Sequence, residues 1–394
     1  LRILIAHNRY QQAGGEDMVV AAETALLRRK GHEVFHFLRD NKDLAGRSGF
    51  AVGAETVWSG RSYREIAAEI RACKPDLVHF HNTLPLISPA AIQAAKALGV
   101  ATVQTLHNYR IACPNAQLFR DGRPCRDCLG KSIAWPGVVH GCYRGSRTAT
   151  AAVAAMNAVH RQLGTWTRKI DRHIALTEAS RAIFIDAGLP ADRIAVKPNF
   201  LEADPGAGDG QGRFVLYAGR LSAEKGIRTL LAAWQGRPIA VPLKIAGDGP
   251  LAATVAAAAS ATVSIEWLGQ RPREELLRLM GEATAVLAPA EWEEPFGLTI
   301  IEALARGTPV VGADIGSIGS LVEDRRTGRL HRPADPGDLA AKLSELLALP
   351  VTEMAAMRAA ARRAFVERYT AERNYDLLMV VYGAAVGESS SRAP

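Results

Sequence analysis

Short runs of apolar, often β-branched residues alternate with longer amphipathic stretches along nearly the whole chain. Such alternation argues for parallel sheets covered by helices on both faces. In the front half it predicts strands at Arg2–Ala6, Asp76–Phe80, Ala101–Leu106, His173–Leu176 and Ile194–Lys197. Helices are expected over Gly15–Lys30, Pro89–Leu98, Thr148–Lys169 and Ser180–Ala187. Residues 198–212 are rich in Gly, Pro and Asp and read as a linker. The pattern then restarts with strands at Phe214–Ala218, Leu243–Ala246, Val263–Leu268, Ala285–Ala288 and Pro309–Gly312. A turn-rich stretch, Thr327–Gly337, precedes helices to about Val386, and Gly387–Pro394 is expected to fray. The fold class is therefore α/β, with two doubly wound Rossmann-like domains facing a cleft. In such sheets ligands bind beyond the carboxyl ends of the strands.

Composition narrows the class. The chain has 394 residues, 48% apolar and 22% charged, so wholesale disorder is excluded. No apolar run is long enough to span a membrane, and the short apolar start, broken by Arg2, reads as a strand rather than a leader. Five cysteines do not make a secreted disulfide scaffold, so a reducing cytoplasm is expected. The net charge of +8 is uneven. Residues 1–197 carry 27 basic and 16 acidic side chains, against 21 and 24 in the remainder. A basic front half suits an anionic partner or an anionic membrane surface, or is simply a solubilising surface.

The candidate chemistry lies mainly in the rear half. Glu294-Pro-Phe-Gly-Leu-Thr-Ile-Ile-Glu302 follows a strand and leads into a helix. Were both glutamates on that helix, they would stand roughly 12 Å apart along its axis. That exceeds the roughly 5–9.5 Å of paired glycosidase acids, so hydrolysis by this pair is disfavoured. A loop position for Glu294 and a helical one for Glu302 lets each accept hydrogen bonds from ligand hydroxyls. Gly297, Leu298 and Thr299 would open the helix, where free N–H groups suit a phosphate. Gly219-Arg220-Leu-Ser-Ala-Glu-Lys225-Gly226 follows the preceding strand Phe214–Ala218 and places two cations at its end. They can hold a diphosphate and stabilise it as it leaves.

These two motifs resemble the family 4 glycosyltransferases of GT-B fold. The resemblance runs from Arg2 to about His331 and includes Gly247-Asp-Gly-Pro, Gly269-Gln270, Gly14-Gly15 and Thr105-Leu106-His107. It implies a retaining, metal-independent hexosyltransferase using a nucleotide diphosphate sugar as co-substrate, with no cofactor for catalysis. Arg220 and Lys225 match the diphosphate grip, Glu294 the residue on donor-sugar hydroxyls, and Glu302 the one on the ribose. Gly247, Gln270 and the amides of Phe296, Gly297, Leu298 and Thr299 match the rest of the donor site. Gly14 and Gly15 match a loop close to the diphosphate, and His107 the histidine beside the reacting sugar. Glu293 is a minor rival to Glu294. The absence of any Asp-x-Asp pair agrees with metal-independent transfer. The implied domains are an acceptor-side 1–198, a donor-binding 199–370, and 371–394 as a helix crossing back to the first domain, with its tail. A glycan or polyprenyl-linked acceptor is implied, in polysaccharide or cell-envelope assembly, with peripheral contact at the inner face of an anionic membrane and no nucleic acid. A non-catalytic nucleotide-binding relative and an epimerase-like enzyme are the alternatives.

One segment stands outside the resemblance. Residues 108–147 read as irregular and hold four of the five cysteines, Cys113, Cys125, Cys128 and Cys142, spaced C-x11-C-x2-C-x13-C. Glycines and a proline flank the C-x2-C, as in a metal-binding knuckle. A structural zinc with four thiolates is the preferred reading, with His140 as a substitute ligand. Disulfides, an iron–sulfur centre and independent buried thiols remain open. The segment is also basic, through Arg110, Arg120, Arg123, Arg126, Lys131, Arg144 and Arg147, with Trp135 and Tyr143 among them.

Overall fold

The computed structural model describes residues 1–11, 14–236, 239 and 241–391. The chain divides into two compact units. Leu1–Leu118, Cys125–Glu202 and Asn374–Pro394 form the first; Phe119–Pro124 and Ala203–Arg373 form the second.

The first unit is built on β1 (Arg2–Arg9), β2 (Glu33–Asp40), β3 (Leu77–Phe80) and β4 (Ala101–Leu106). A short antiparallel hairpin, β5 (Phe119–Arg120) and β6 (Arg123–Pro124), follows in the chain. The sheet is completed by β7 (Arg172–Ala175) and β8 (Ile194–Val196). Its order is β2-β1-β3-β4-β7-β8, with every pairing parallel. Period-two alternation sends Leu4 and Ala6 to one core and Ile3 and Ile5 to the other. Helices Gly60–Cys73 and Ala90–Ala97 cover the first face with Ile66, Ile70, Ile92 and Ala94. On the other face Ile3, Ile5, Leu77, Val103 and Ile174 meet Leu378, Val381, Tyr382 and Ala385 of the helix Ala371–Ser391. Burying Leu378, Val381 and Tyr382 there stabilises the unit by about 5–8 kcal/mol as an upper bound.

Several elements depart from the sequence expectation. β1 runs past Ala6 because the polar residues after it are buried with partners: Asn8 donates to Asn41 Oδ1 at 2.7 Å, and His7 meets Asp17 at 2.8 Å. β2 had no signal of its own; it is a half-buried edge strand that mixes charged and aromatic residues. The expected helix over 148–169 is Arg147–Gln162, then Gly164 at φ +65°, then the single turn Thr165–Arg168. The expected frayed tail is instead helical through Ser391, where Glu388 pairs with Arg172 and Ser389 Oγ donates to Gly99 O at 3.0 Å. Residues 392–394 lie outside the described residues.

The second unit holds β9 (Val215–Ala218), β10 (Leu243–Ala246), β11 (Ile265–Gly269), β12 (Ala285–Ala288), β13 (Val310–Ala313) and β14 (Gly328–His331). The order is β11-β10-β9-β12-β13-β14, again wholly parallel. β14 occupies part of the stretch expected to be turns. Its Gly-Arg-Leu-His sequence hides it, yet Arg329 and His331 are buried, and a Cβ on Gly328 would lie 1.9 Å from Val310 O. The strand order reverses between β1 and β3 in the first unit and between β9 and β12 in the second. Such switch points are where open α/β sheets bind ligands.

Candidate active site

The loops leaving β9 and β12 carry the residues singled out in the rear half. After β9, Gly219 N donates to Ala246 O and Leu221 N to Asp248 O, tying this loop to the one after β10. Tyr217 OH donates to Arg220 O at 2.8 Å and fixes the turn. Gly226, at φ +73°, closes the Lys225 turn against the β12 loop. A Cβ there would lie 1.8 Å from Pro289 O, so the position demands glycine. Gly247 is equally constrained at φ +145°, where a Cβ would lie 1.9 Å from Gly219 O.

From the other side, Glu294 sits in the loop after β12, ahead of the helix Leu298–Ala305, whose N-cap is Gly297. Its backbone is held by Ser317, whose N–H donates to Glu294 O at 3.0 Å. Lys225 Nζ meets Glu294 Oε1 at 2.5 Å and lies 5.4 Å from the centre of the Trp292 ring. The pair is 26% and 13% exposed, so it is neither a free surface contact nor fully buried. This contact selects Glu294 over its neighbour Glu293 as the carboxylate facing the cation. Arg220 is exposed, and among the described residues its side chain has no hydrogen-bond or ion-pair partner. Glu302 lies on the helix, half-buried, with Arg273 Nε 3.1 Å from its Oε1. Burial pushes its carboxyl above the usual range, and Arg273 offsets part of that. Phe296 is buried against Tyr369. Thr299 Oγ1 donates to Ala218 O at 3.4 Å, joining the helix start to the end of β9. Gln270 is exposed after β11, two strands from β9. Arg220, Lys225, Gly247, Glu294 and Gly297–Thr299 are thus gathered at one sheet edge, whereas Gln270 is peripheral to it.

In the first unit, His107 follows β4. Its Nε2 is 2.8 Å from Nδ1 of His81, which follows β3. His79 bridges Tyr382 OH and Thr105 Oγ1, each at 2.8 Å. Lys197 Nζ donates to Glu23 Oε1 at 2.9 Å, and Glu23 Oε2 faces His81 Nε2 at 3.6 Å. Burial pushes His79 down to about 4 and His107 down to about 3, so both imidazoles are neutral at physiological pH. Burial raises the Glu23 carboxyl most, but Lys197 together with His79 and His107 outweighs it and holds it below the usual range. Gly14 caps the helix Gly15–Arg29 at φ −122° with open space around it, so the fold itself does not require glycine there. Gly14 N donates to Asp17 Oδ2 at 2.9 Å.

The model of the family described as Glycosyltransferase Family 4 matches residues 13–204, and that of Glycosyl transferases group 1 matches residues 203–364. Between them the two models span residues 13–364, and the chain is a glycosyltransferase of GT-B fold. A glycogen synthase of Mycobacterium tuberculosis is 28% identical over 320 residues, covering 79% of this chain and 70% of that protein. The phosphatidyl-myo-inositol mannosyltransferase of the same organism is 29% identical over 288 residues, covering 69% and 74%. Among solved structures, Anabaena HepE in complex with UDP superposes with a TM-score of 0.70 at 18% identity, covering 97% of this chain and 100% of that one. Sucrose-phosphate synthase of Thermosynechococcus elongatus gives 0.73 at 17% identity, covering 98% and 99%. At these identities the structures speak to the fold.

Within this glycosyltransferase, sequence reading missed Glu16, Asp17, Glu23 and Lys197. Glu16 is held by Tyr10 OH at 2.9 Å and Asn108 Nδ2 at 2.8 Å, and burial pushes its carboxyl up. With His81, His107 and Arg110 it lines one small polar cavity. The available signal was a pair of acids directly after Gly14-Gly15, at the start of a helix. Glu23, His79 and His81 offer three potential metal-ligand atoms within 4.8 Å of one another. They do not suit a cation: both His79 nitrogens are engaged, and the Lys197 ammonium already holds Glu23. Among the described residues no helix is long and apolar enough to cross a membrane.

Proposed function

We propose that this glycosyltransferase moves a hexose from a nucleoside diphosphate sugar to a hydroxyl acceptor, retaining the anomeric configuration and without a catalytic metal. The observation that carries the donor reading is the meeting of Lys225 and Glu294 at the β9/β12 switch point, beside an open helix start. As the sugar–phosphate bond breaks, charge gathers on the β-phosphate. Arg220, Lys225 and the N–H groups of Leu298 and Thr299 are set to stabilise it. Glu294 would exchange part of its hold on Lys225 for donor-sugar hydroxyls, and Glu302 would accept from the ribose. The acceptor oxygen attacks the face that the diphosphate leaves, and the departing phosphate takes its proton. Neutral His107 is suited to hydrogen-bond a sugar hydroxyl. Two cations and no Asp-x-Asp pair support transfer without a divalent ion.

In the first unit a groove of about 860 Å³ runs between the helices Gly49–Val57 and Arg147–Gln162. Phe50, Val57, Leu84 and Val153 line it, with Arg47 and Arg144 also at its walls. That combination supports an acceptor with an apolar chain and an anionic group, such as a lipid-linked glycan of the cell envelope. HepE complexes with UDP and with UDP-glucose make uridine the first base to try. The test is calorimetric titration with UDP, GDP and ADP, with and without Mg²⁺, followed by transfer assays on wild type, Lys225→Ala and Glu294→Ala. Binding of one nucleotide regardless of Mg²⁺, with transfer lost in both variants, is expected. Unchanged transfer in both variants refutes the site.

A further inference from the structure

The four cysteines expected to hold a metal are not gathered as a ligand set. Among the described residues, only Glu23, His79 and His81 form a group of three whose candidate ligand atoms lie within 4.8 Å of one another. Cys113 Sγ instead donates as a thiol to Asn115 Oδ1 at 2.9 Å.

The second unit holds an unsatisfied cation. Arg329 is the second residue of β14, and its side chain is only 10% exposed. Its Nε and Nη1 are buried without a hydrogen-bond partner. Glu345 Oε2 stands 3.6 Å from Nε, too far for a hydrogen bond. Glu345 is itself exposed, and its Oε1 accepts from Lys342 Nζ at 2.9 Å. A guanidinium carries five N–H donors and keeps its charge at any physiological pH. Burying one with donors unpaired costs free energy that the protein's own groups here do not offset.

The exposed edge of Arg329 opens on a groove of about 730 Å³. Arg325, Arg326 and Arg363 stand around it, and Leu349, Met357 and Ala360 supply apolar lining. Arg326 is committed to Glu323 at 2.6 Å, and Arg325 Nε lies 3.8 Å from Asp324 Oδ2. Among the described residues Arg363 has no hydrogen-bond or ion-pair partner. Glu345 and Glu353 also line the groove, so four guanidiniums face two carboxylates. The surplus of two positive charges matches a phosphate monoester, which carries about two negative charges at pH 7. Guanidinium forks grip phosphate oxygens two at a time. The volume falls in the range of about 300–1,000 Å³ typical of small-molecule sites and far exceeds what a bare ion needs.

The groove is separate from the donor loops. The turn carrying Arg325 and Arg326 leads into β14, where Gly328 pairs with Val310 at the start of β13, and Val310 pairs with Val286 of β12. That turn lies at the amino edge of the sheet, whereas Lys225 and Glu294 follow the carboxyl ends of β9 and β12.

We propose that this groove binds a small phosphate monoester, with Arg329 and Arg363 on its phosphate and Leu349, Met357 and Ala360 against its carbon skeleton. The bound phosphate supplies Arg329 with the acceptors that the chain withholds.

The experiment is calorimetric titration of the full chain, in buffer free of phosphate and sulfate, with glycerol 3-phosphate, mannose 6-phosphate, inorganic phosphate and unphosphorylated mannose. At least one ester is expected to bind with a Kd below about 1 mM, tighter than inorganic phosphate, with no binding of mannose in that range. Arg329→Met and Arg363→Met should each weaken that ester about tenfold or more, while Lys225→Met, in the donor loop, leaves its affinity unchanged. Without ligand, Arg329→Met should melt no lower than wild type, because it removes a buried charge that lacks partners. With the ester, wild type should melt higher and Arg329→Met should not. Binding of both esters weaker than about 1 mM overturns the proposal, as does an affinity unchanged in both arginine variants. Inorganic phosphate binding as tightly as the esters also overturns it, marking a site for an adventitious ion only.

Discussion

The contact between Lys225 and Glu294 makes a quantitative demand. At 2.5 Å, with 26% and 13% exposure, the pair lies between two known regimes. Exposed pairs contribute about 0–1 kcal/mol, while stripping one partner from a fully buried pair costs about 3–5 kcal/mol. Opposite charges near a protein surface attract by roughly 4 kcal/mol at 4 Å before desolvation and screening. After those are subtracted, a coupling of about 1–2 kcal/mol remains. Lys225→Met should therefore destabilise the empty second unit by about 1–2 kcal/mol, and Glu294→Gln by a similar amount. The double variant should cost no more than either single one, because neither charge is left alone. Urea unfolding, fitted for the transition that a bound nucleoside diphosphate displaces, measures this. Transfer should behave differently. Each single variant loses about 100-fold or more in kcat, and the double variant regains none of it. Stability effects that add to within about 0.5 kcal/mol would show that the two side chains do not lean on each other, and the reasoning fails.

Two further outcomes follow from the same structure. His79, His107 and His173 are held at about 4, about 3 and about 4, against an ordinary 6.5, chiefly by burial. The unfolded chain then binds more protons below pH 6.5, so the stability these groups lend is complete above that pH and drains away as pH falls toward 4. The slope approaches roughly 4 kcal/mol per pH unit if all three contribute fully. A melting temperature unchanged from pH 7 to pH 5 refutes this. Gly226→Ala must move either the Lys225 turn or the Pro289 carbonyl, since its Cβ would lie 1.8 Å from that oxygen. Nucleotide affinity should fall about tenfold or more by calorimetry, and an unaltered Kd would mean that the turn does not position the cation.

Strands buried on both faces were legible because their sequences are short runs of mainly apolar or β-branched residues: β3, β4, β9, β10 and β12 all lie within or close to the expected residues. β2 and β14 were not, since an edge strand paired on one side tolerates polar residues that break the run. The donor motifs were legible for a different reason. Lys225 and Glu294 lie in short loops that leave adjacent parallel strands, so local sequence and strand order bring them together. The histidine network was hidden because its partners come from remote parts of the chain. Glu23 finds Lys197 174 residues away, and His79 finds Tyr382 303 residues away. No local pattern carries such pairings.

The helix Ala371–Ser391 has a consequence for how the protein is made. The sheet it covers is otherwise finished by Glu202, yet the covering residues Leu378, Val381 and Tyr382 emerge only after all of residues 203–373. At about 5–20 residues per second, the ribosome needs about 10–40 s to bridge that interval. By its end the second unit has every residue of its β9–β14 sheet in hand, while Ile3, Ile5, Leu77, Val103 and Ile174 are still denied those partners. Pulse proteolysis of stalled nascent chains would time this directly. The unit synthesised first is thus the one that completes last, and the wait leaves an apolar sheet face open to chaperones before it closes.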